Sequence, residues 1–204
     1  MNDLTMLWRT GLAGLRVLVA ATVLLGLGYP LLVTGLAQAG LGWRADGSLL
    51  TAQGGHTREA SQAVGSALLG QPAADGLFAP RPSAAGDGYD PLASAGSNLG
   101  PNSPDLVAAI EERRAEIAAR EGVAPARVPA DAVTASGSGL DPDISPAYAR
   151  LQVARVARAQ GLSPDVVRRL VDEHTDGRAL GVLGEAHVNV LRLNLAVVRE
   201  AARS

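Results

Sequence analysis

The chain has 204 residues and a mass of 20.8 kDa, with 47% hydrophobic and 3% aromatic residues and a mean hydropathy of +0.14. Its 24 Gly and 12 Pro are too few for a fibrous or wholly disordered polymer. A net charge of −2 and a pI near 5.9 argue against a nucleic-acid-binding role. With no Cys, disulfide scaffolds, thiol nucleophiles and Cys-based metal centres are excluded together. Lys is absent as well, so all 18 cations are Arg.

The apolar excess is concentrated near the start, where Val17 to Trp43 runs for 27 residues without a charge. A helix crossing a hydrocarbon core of roughly 30 Å needs about 20 such residues. The sequence therefore divides into a short N-terminus (1–16), a transmembrane helix (17–39) that includes Val17, Leu24, Pro30 and Leu36, and a soluble domain (40–204). Pro30, Gly26 and Gly28 loosen that helix without excluding it. The pairs Thr22/Gly26 and Gly35/Ala39 are spaced for close helix approach, though small residues are frequent throughout the chain. A cleaved signal peptide ending at Ala37-Gln38-Ala39 is the competing reading, but the apolar run is longer than a signal core of about 7–15 residues. Arg9 and Arg16 precede the span and only Arg44 then Asp46 follow it closely, so the positive-inside bias places the N-terminus in the cytoplasm. Taking Arg9, Arg16 and Asp3 from the totals of 18 and 20 leaves residues 44–204 with 16 Arg and 19 carboxylates, a net charge of −3.

Ala60, Ala63, Val64 and Ala67 recur at helical spacing and predict a short helix over 58–69, stopped by Gly70. Residues 70–104 carry six Gly and six Pro and predict an irregular segment, which at that length is either disordered or a binding loop. Ser103-Pro104 opens a helix to Glu121, with Leu106, Ile110 and Ile117 on one face and Gly122 beyond its end. Val and Thr over 128–135 predict a short strand ahead of the Gly/Ser turn at 136–139. Ser145-Pro146 and Ser163-Pro164 repeat the helix-opening signal, for helices to Gln160 and Glu173. The terminal segment 188–198 alternates with a phase slip; it is taken as a strand, with a strand passing into helix as the alternative. The fold class expected is α+β: one N-terminal transmembrane helix, then a helix-rich domain with a few short strands.

Familiar catalytic signatures are missing, including a Walker-type loop and HExxH. His56, His174 and His187 are far apart in sequence, and no metal site is assigned to them. Neither Ser136 nor Ser138 has the flanking glycines of a nucleophile elbow, and Asp141 and Asp143 sit in a Pro-containing turn where Asp commonly bonds its own backbone.

RPSAAGDGYD (81–90), SAGSNLGPNSPDL (94–106), VTASGSGLDPDISPAYARLQVARVARAQGLS (133–163) and LGEAHVNVLRLNLAV (183–197), following a single N-terminal span, resemble the C subunits of Kdp-type potassium-transporting P-type ATPases. Departures are local: Ala130 and Ala132 replace larger aliphatics, His187 precedes VNVL, and the region before Arg81 is poor in aromatics. The resemblance implies an accessory, non-catalytic subunit in the inner membrane. Its partners would be a channel-like potassium-binding subunit, an ATP-hydrolysing pump subunit and a small stabilising peptide, besides membrane lipid. It implies no cofactor on this chain, since the complex handles ATP and potassium. The family is also described as a catalytic chaperone raising the pump's ATP affinity. Only about 16 residues are expected in the cytoplasm, so direct nucleotide contact by the soluble domain is hard to place and no nucleotide-binding residue is assigned.

On this reading 70–104 and 134–145 form a docking surface for the channel-like subunit. The candidate docking residues are Arg81, Ser83, Tyr89, Asn98, Ser136, Ser138, Asp141, Gln152 and Arg155. Each also has an internal reading: Arg81 paired with Asp87 or Asp90, Asn98 fixing its own turn, Gln152 capping a loop. The rival functions are a membrane-anchored serine hydrolase using Ser136 or Ser138 with His174 or His187, and a solute-binding module released before Gly40.

Overall fold

A computed structural model describes residues 2–203. The chain divides into two compact units, 1–47 and 48–204.

The first unit is helical from Asn2 to Ala45: α1 (Asn2–Ala21), a π-helical stretch (Thr22–Gly28) and α2 (Tyr29–Ala45). Leu4–Ala45 is long and apolar enough to cross a membrane, and none of its most apolar window is buried within the protein. Val17, Leu24 and Leu36 are all more than 60% exposed, as side chains meant for lipid would be. Pro30 accounts for the widened turns. It has no N–H for the carbonyl four residues back and its ring crowds that carbonyl, so the helix shifts to longer bonds such as Tyr29 N–H to the Leu24 carbonyl.

The second unit begins with β1 (Leu49–Thr51), β2 (His56–Thr57), a 3₁₀ turn (Ala60–Gln62) and β3 (Ala63–Ser66), an antiparallel sheet in the order β2-β1-β3. This replaces the helix expected over 58–69. Of the residues that suggested one face of a helix, Ala60 lies in the 3₁₀ turn and Ala63 and Val64 lie in β3, which pairs with β1 through Ala63 opposite Thr51, Gly65 opposite Leu50 and Ser66 opposite Leu49. Non-local pairing prevails here over a weak local propensity. The irregular segment then leads into α3 (Pro104–Glu121), as expected, ended by Gly122 in the left-handed region at φ 67°.

A 3₁₀ turn (Pro125–Arg127) and the single turn α4 (Ala130–Val133) stand where a strand was expected over 128–135. Ala130, Asp131 and Ala132 are better suited to a helical turn after Pro129 than to a ladder, and the turn sinks Ala132 and Val133 into the core. β4 (Asp143–Ile144) leads into α5 (Pro146–Gln160) and α6 (Pro164–Glu173), both where their Ser-Pro signals put them. β5 (Thr175–Asp176) and β6 (His187–Asn189) complete a second antiparallel sheet, β4-β6-β5. The terminal segment is a strand for three residues only. Asn189 then caps α7 (Val190–Ala201) by accepting the Arg192 N–H at 3.2 Å, so 190–198 is helix rather than strand. The observed class is nonetheless the expected helix-rich α+β.

One core joins these pieces. Phe78, Ile117, Ile144, Tyr148, Val156, Val167, Val188, Leu193 and Val197 pack from the irregular segment, α3, β4, α5, α6, β6 and α7. The entry to α5 is held by charge as well as by packing. Ser145 Oγ accepts the Tyr148 N–H at 3.0 Å, and Asp131 accepts both the Ser145 N–H and hydroxyl at 2.8 Å. Ser145→Ala removes the cap and one charge-assisted bond together, so denaturant titration is expected to show a loss of about 1–2 kcal/mol.

Candidate docking site

Residues 67–103 form no helix or strand, yet several of them are deeply buried. Two amide side chains hold this segment to the helices as a ladder partner would. Asn194 of α7 accepts the Phe78 N–H at 2.8 Å and donates to the Phe78 carbonyl at 2.9 Å. Gln152 of α5 does the same for Ala79, at 2.8 and 3.2 Å. Arg155 donates to the Leu77 carbonyl at 3.0 Å and to Gln152 Oε1 at 2.8 Å, and its Nε reaches both oxygens of the buried Glu121 carboxylate. Buried backbone groups need partners wherever they lie, and here side chains supply them.

Beyond Pro80 the segment joins the turn 134–141. Ser83 Oγ donates to the Gly139 carbonyl at 2.7 Å and accepts the N–H groups of Ala85 and Tyr89. The Tyr89 hydroxyl donates to the Arg81 carbonyl at 2.7 Å, and burial pushes that phenol above its ordinary value. Arg81 pairs with Asp141 at 2.7 Å and also donates to the Thr134 carbonyl at 3.4 Å. The Ser136 N–H bonds the Pro82 carbonyl, Ser136 Oγ lies 3.2 Å from Ser138 Oγ, and Ser94 Oγ donates to the Ser138 carbonyl. The two loops touch so closely that a Cβ on Gly139 would lie 2.7 Å from Ala85 N and Ala95 O.

Six candidate residues, Arg81, Ser83, Tyr89, Ser136, Ser138 and Asp141, thus meet in one platform although about 50 residues of chain separate the two groups. Arg81 does pair internally, but with Asp141 rather than with Asp87 or Asp90. Asn98 is exposed and lies outside this hydrogen-bonded group, its backbone in the left-handed region at φ 50°. Gln152 is wholly buried and Arg155 is mostly so. They anchor the approach to the platform at 77–79, so Gln152 offers no surface to a partner and Arg155 only the 19% of its side chain that is exposed. Leu92, by contrast, is 96% exposed at the loop's outer edge.

Residues 11–199 match the family model described as KdpC: K+-transporting ATPase, c chain. The chain belongs to the KdpC family. It is 56% identical over 200 residues to the potassium-transporting ATPase KdpC subunit of Kineococcus radiotolerans, covering 98% of this chain and 97% of that one. It is 50% identical to the Mycobacterium bovis subunit of the same name over 190 residues, covering 92% and 97%. The Sorangium cellulosum KdpC subunit is 53% identical over 185 residues, covering 90% and 94%.

The described residues do not assemble the serine-hydrolase arrangement that the Gly/Ser turn invited. Among the described residues no hydrogen bond joins Ser136 or Ser138 to a histidine. His174 Nδ1 bonds the Leu170 carbonyl and His187 Nδ1 the Glu185 carbonyl. No group of three His, Cys, Asp or Glu placed to hold a metal occurs among the described residues.

Sequence reading missed the residues that set the loops in place: Asn194, Glu121 and Gly139. The asparagine alone left a signal, a polar group inside the apolar run VLRLNLAVV.

Next to the platform, Asp143 accepts from Asn189 Nδ2 at 3.0 Å, with His187 Nε2 at 3.8 Å. Burial raises its pKa above 3.8 despite that bond and the imidazole, with Asp141 and Asp176 adding repulsion. The folded state therefore holds this proton more tightly than the unfolded chain does. Asp143 consequently favours folding at low pH and loses that contribution as pH rises from about 3.8 through the raised folded value. Asp143→Asn is expected to flatten the pH dependence of stability over that window, as read by thermal midpoints measured across it.

Proposed function

We propose that this chain is the membrane-anchored accessory subunit of a high-affinity, ATP-driven potassium uptake complex. In this reading 1–16 lie in the cytoplasm, 17–39 cross the inner membrane and 40–204 lie outside. The platform of 81–98 and 134–141 docks on the channel-like subunit, beside an ATP-hydrolysing pump subunit and a small stabilising subunit. Family membership supports the complex, and the joining of two sequence-distant loops into one platform, with Ser136 buried inside it and Ser138, Asp87 and Asn98 exposed, carries the docking assignment. Irregular loops suit this use because they present adaptable polar groups while helices hold them still. Leu92, Asp87 and Asn98 are the exposed contact candidates at its edge.

The subunit itself performs no hydrolysis in this scheme. It raises the pump's affinity for ATP by favouring one conformational state of the complex, since the ATP side of the membrane holds only its short N-terminus. Such coupling is reciprocal. A tenfold rise in ATP affinity, about 1.4 kcal/mol, requires ATP to tighten subunit docking by the same factor.

The test is co-purification of the tagged full chain from detergent-solubilised membranes. A P-type ATPase and a multi-span channel-like protein are expected at fixed stoichiometry with the wild type, and at reduced yield with Leu92→Asp and Asn98→Arg. Undiminished yield from both variants would remove the platform from the interface. Unchanged potassium-stimulated ATP hydrolysis after deletion of the chain would remove the accessory role. Because the chain has no cysteine, a single Asp87→Cys also tests topology: an impermeant maleimide should label it in intact cells.

A further inference from the structure

A separate feature of the second unit lies where the C-terminal turn of α6, the helix α7 and the β1–β2 hairpin converge. A cleft of about 170 Å³ opens there, lined by Leu50, Gly54, His56, His174, Arg192 and Arg199 together with Leu195. Four of its lining side chains are cationic or able to become so, and none is a carboxylate. Arg199 donates to the Gln53 carbonyl and lies against Gly54, where a Cβ would collide with the guanidinium. Among the described residues no carboxylate pairs with Arg199. His174 closes α6, with its Nδ1 2.8 Å from the Leu170 carbonyl. An adjoining cleft shares His174 and Arg199 and adds Arg169, Arg203 and two carboxylates. Both carboxylates are already engaged by Arg169, Glu200 at 3.3 Å and Glu173 at 3.7 Å.

We infer that this cleft is a binding site for a phosphate-class oxyanion, held by the guanidinium groups of Arg192 and Arg199 and flanked by His56 and His174. Size favours a single small anion. The volume is on the order of five or six times the roughly 30 Å³ a water occupies in the liquid, and well below the several hundred Å³ of cofactor-sized pockets. The chemistry is suitable because arginine presents a planar fork of donors to tetrahedral oxyanions and keeps its charge at every relevant pH. Its position against a glycine turn, tied to a backbone carbonyl, orders it before any ligand arrives. Leu50 follows the apolar helix by five residues, so a phospholipid headgroup is one source of such a group and free phosphate the other. The site does not use the docking platform, and it stands or falls independently of it.

Inorganic phosphate titrated calorimetrically into the full chain in neutral detergent is the direct test. Saturable binding is expected for the wild type, weakened about tenfold or more in Arg199→Gln and in Arg192→Gln, and unchanged in Arg158→Gln, an exposed arginine of α5. Arg199→Lys should restore part of the loss, which a purely structural role would not require, and circular dichroism checks that each variant is folded. Nanodiscs separate the sources. Loss of phosphate binding in phosphatidylglycerol but not in phosphatidylcholine assigns the site to a lipid headgroup, and retention in both assigns it to the free anion. Absence of saturable binding by the wild type, or equal binding by wild type and both glutamine variants, overturns the proposal.

Discussion

Replacing Arg155 with leucine is expected to destabilise the soluble unit by about 3–5 kcal/mol, the cost of stranding a buried charge. Glu121 is the charge in question, its side chain wholly buried. Arg155 Nε meets its two oxygens at 2.9 and 3.1 Å, and without it only Arg120 among the described residues, 41% exposed, still reaches the carboxylate. The same substitution removes the donors to the Leu77 carbonyl and to Gln152 Oε1, so the amide that holds Ala79 loses its own support. For a domain of this size the loss corresponds to a fall in thermal midpoint of about 10 °C. Arg155→Lys should fall between, because one ammonium cannot reach four acceptor atoms arranged around a planar fork. Far-UV circular dichroism is the suitable probe, since Trp8 and Trp43 both lie in the first unit. A leucine variant within 1 °C of the wild type would mean that the Glu121–Arg155 pair contributes nothing net.

Gly139→Ala should have the largest effect on docking. The residue has φ 70°, where an L side chain costs about 1–2 kcal/mol, and the added Cβ would press on Ala85 and on the Ala95 carbonyl at 2.7 Å. Overpacking of that kind adds about 1–3 kcal/mol. The cheapest relief is to part the two loops, which breaks the Ser83 bond to the Gly139 carbonyl and removes the platform as a single surface. Gly137, two residues earlier, is a matched control. It has open space around its Cβ position and no positive φ, so Gly137→Ala should change stability by no more than about 0.5 kcal/mol. Co-purification with partner subunits is expected to fail for Gly139→Ala and to persist for Gly137→Ala. Equal yields from the two would separate docking from the integrity of these loops.

Wherever the signal was local, the sequence was legible. Three helices followed Ser-Pro pairs, because a capping hydroxyl and a proline with preset φ act within one turn of chain. Expectations failed where the deciding contact was remote. Ala63–Ser66 became a strand because β1 offered it a ladder, whereas the Asn189 cap that turns the terminal strand into a helix is a local signal that the reading passed over. The candidate site was half legible. Its loops were identifiable by their lack of periodicity, but whether Gln152 faced a partner or the core depended on the neighbours α5 would acquire.

Composition and order alone determined that this chain carries one long uncharged span and a mildly acidic remainder, because a membrane's thickness sets a length that can be counted residue by residue. They also determined the family, through motifs spread along nearly the whole chain. Only the tertiary structure decided which polar groups face inward. Asn194, Gln152 and Arg155 are each as polar as any surface residue, and they are buried because an irregular segment without ladder partners must find its hydrogen bonds on the helices it covers.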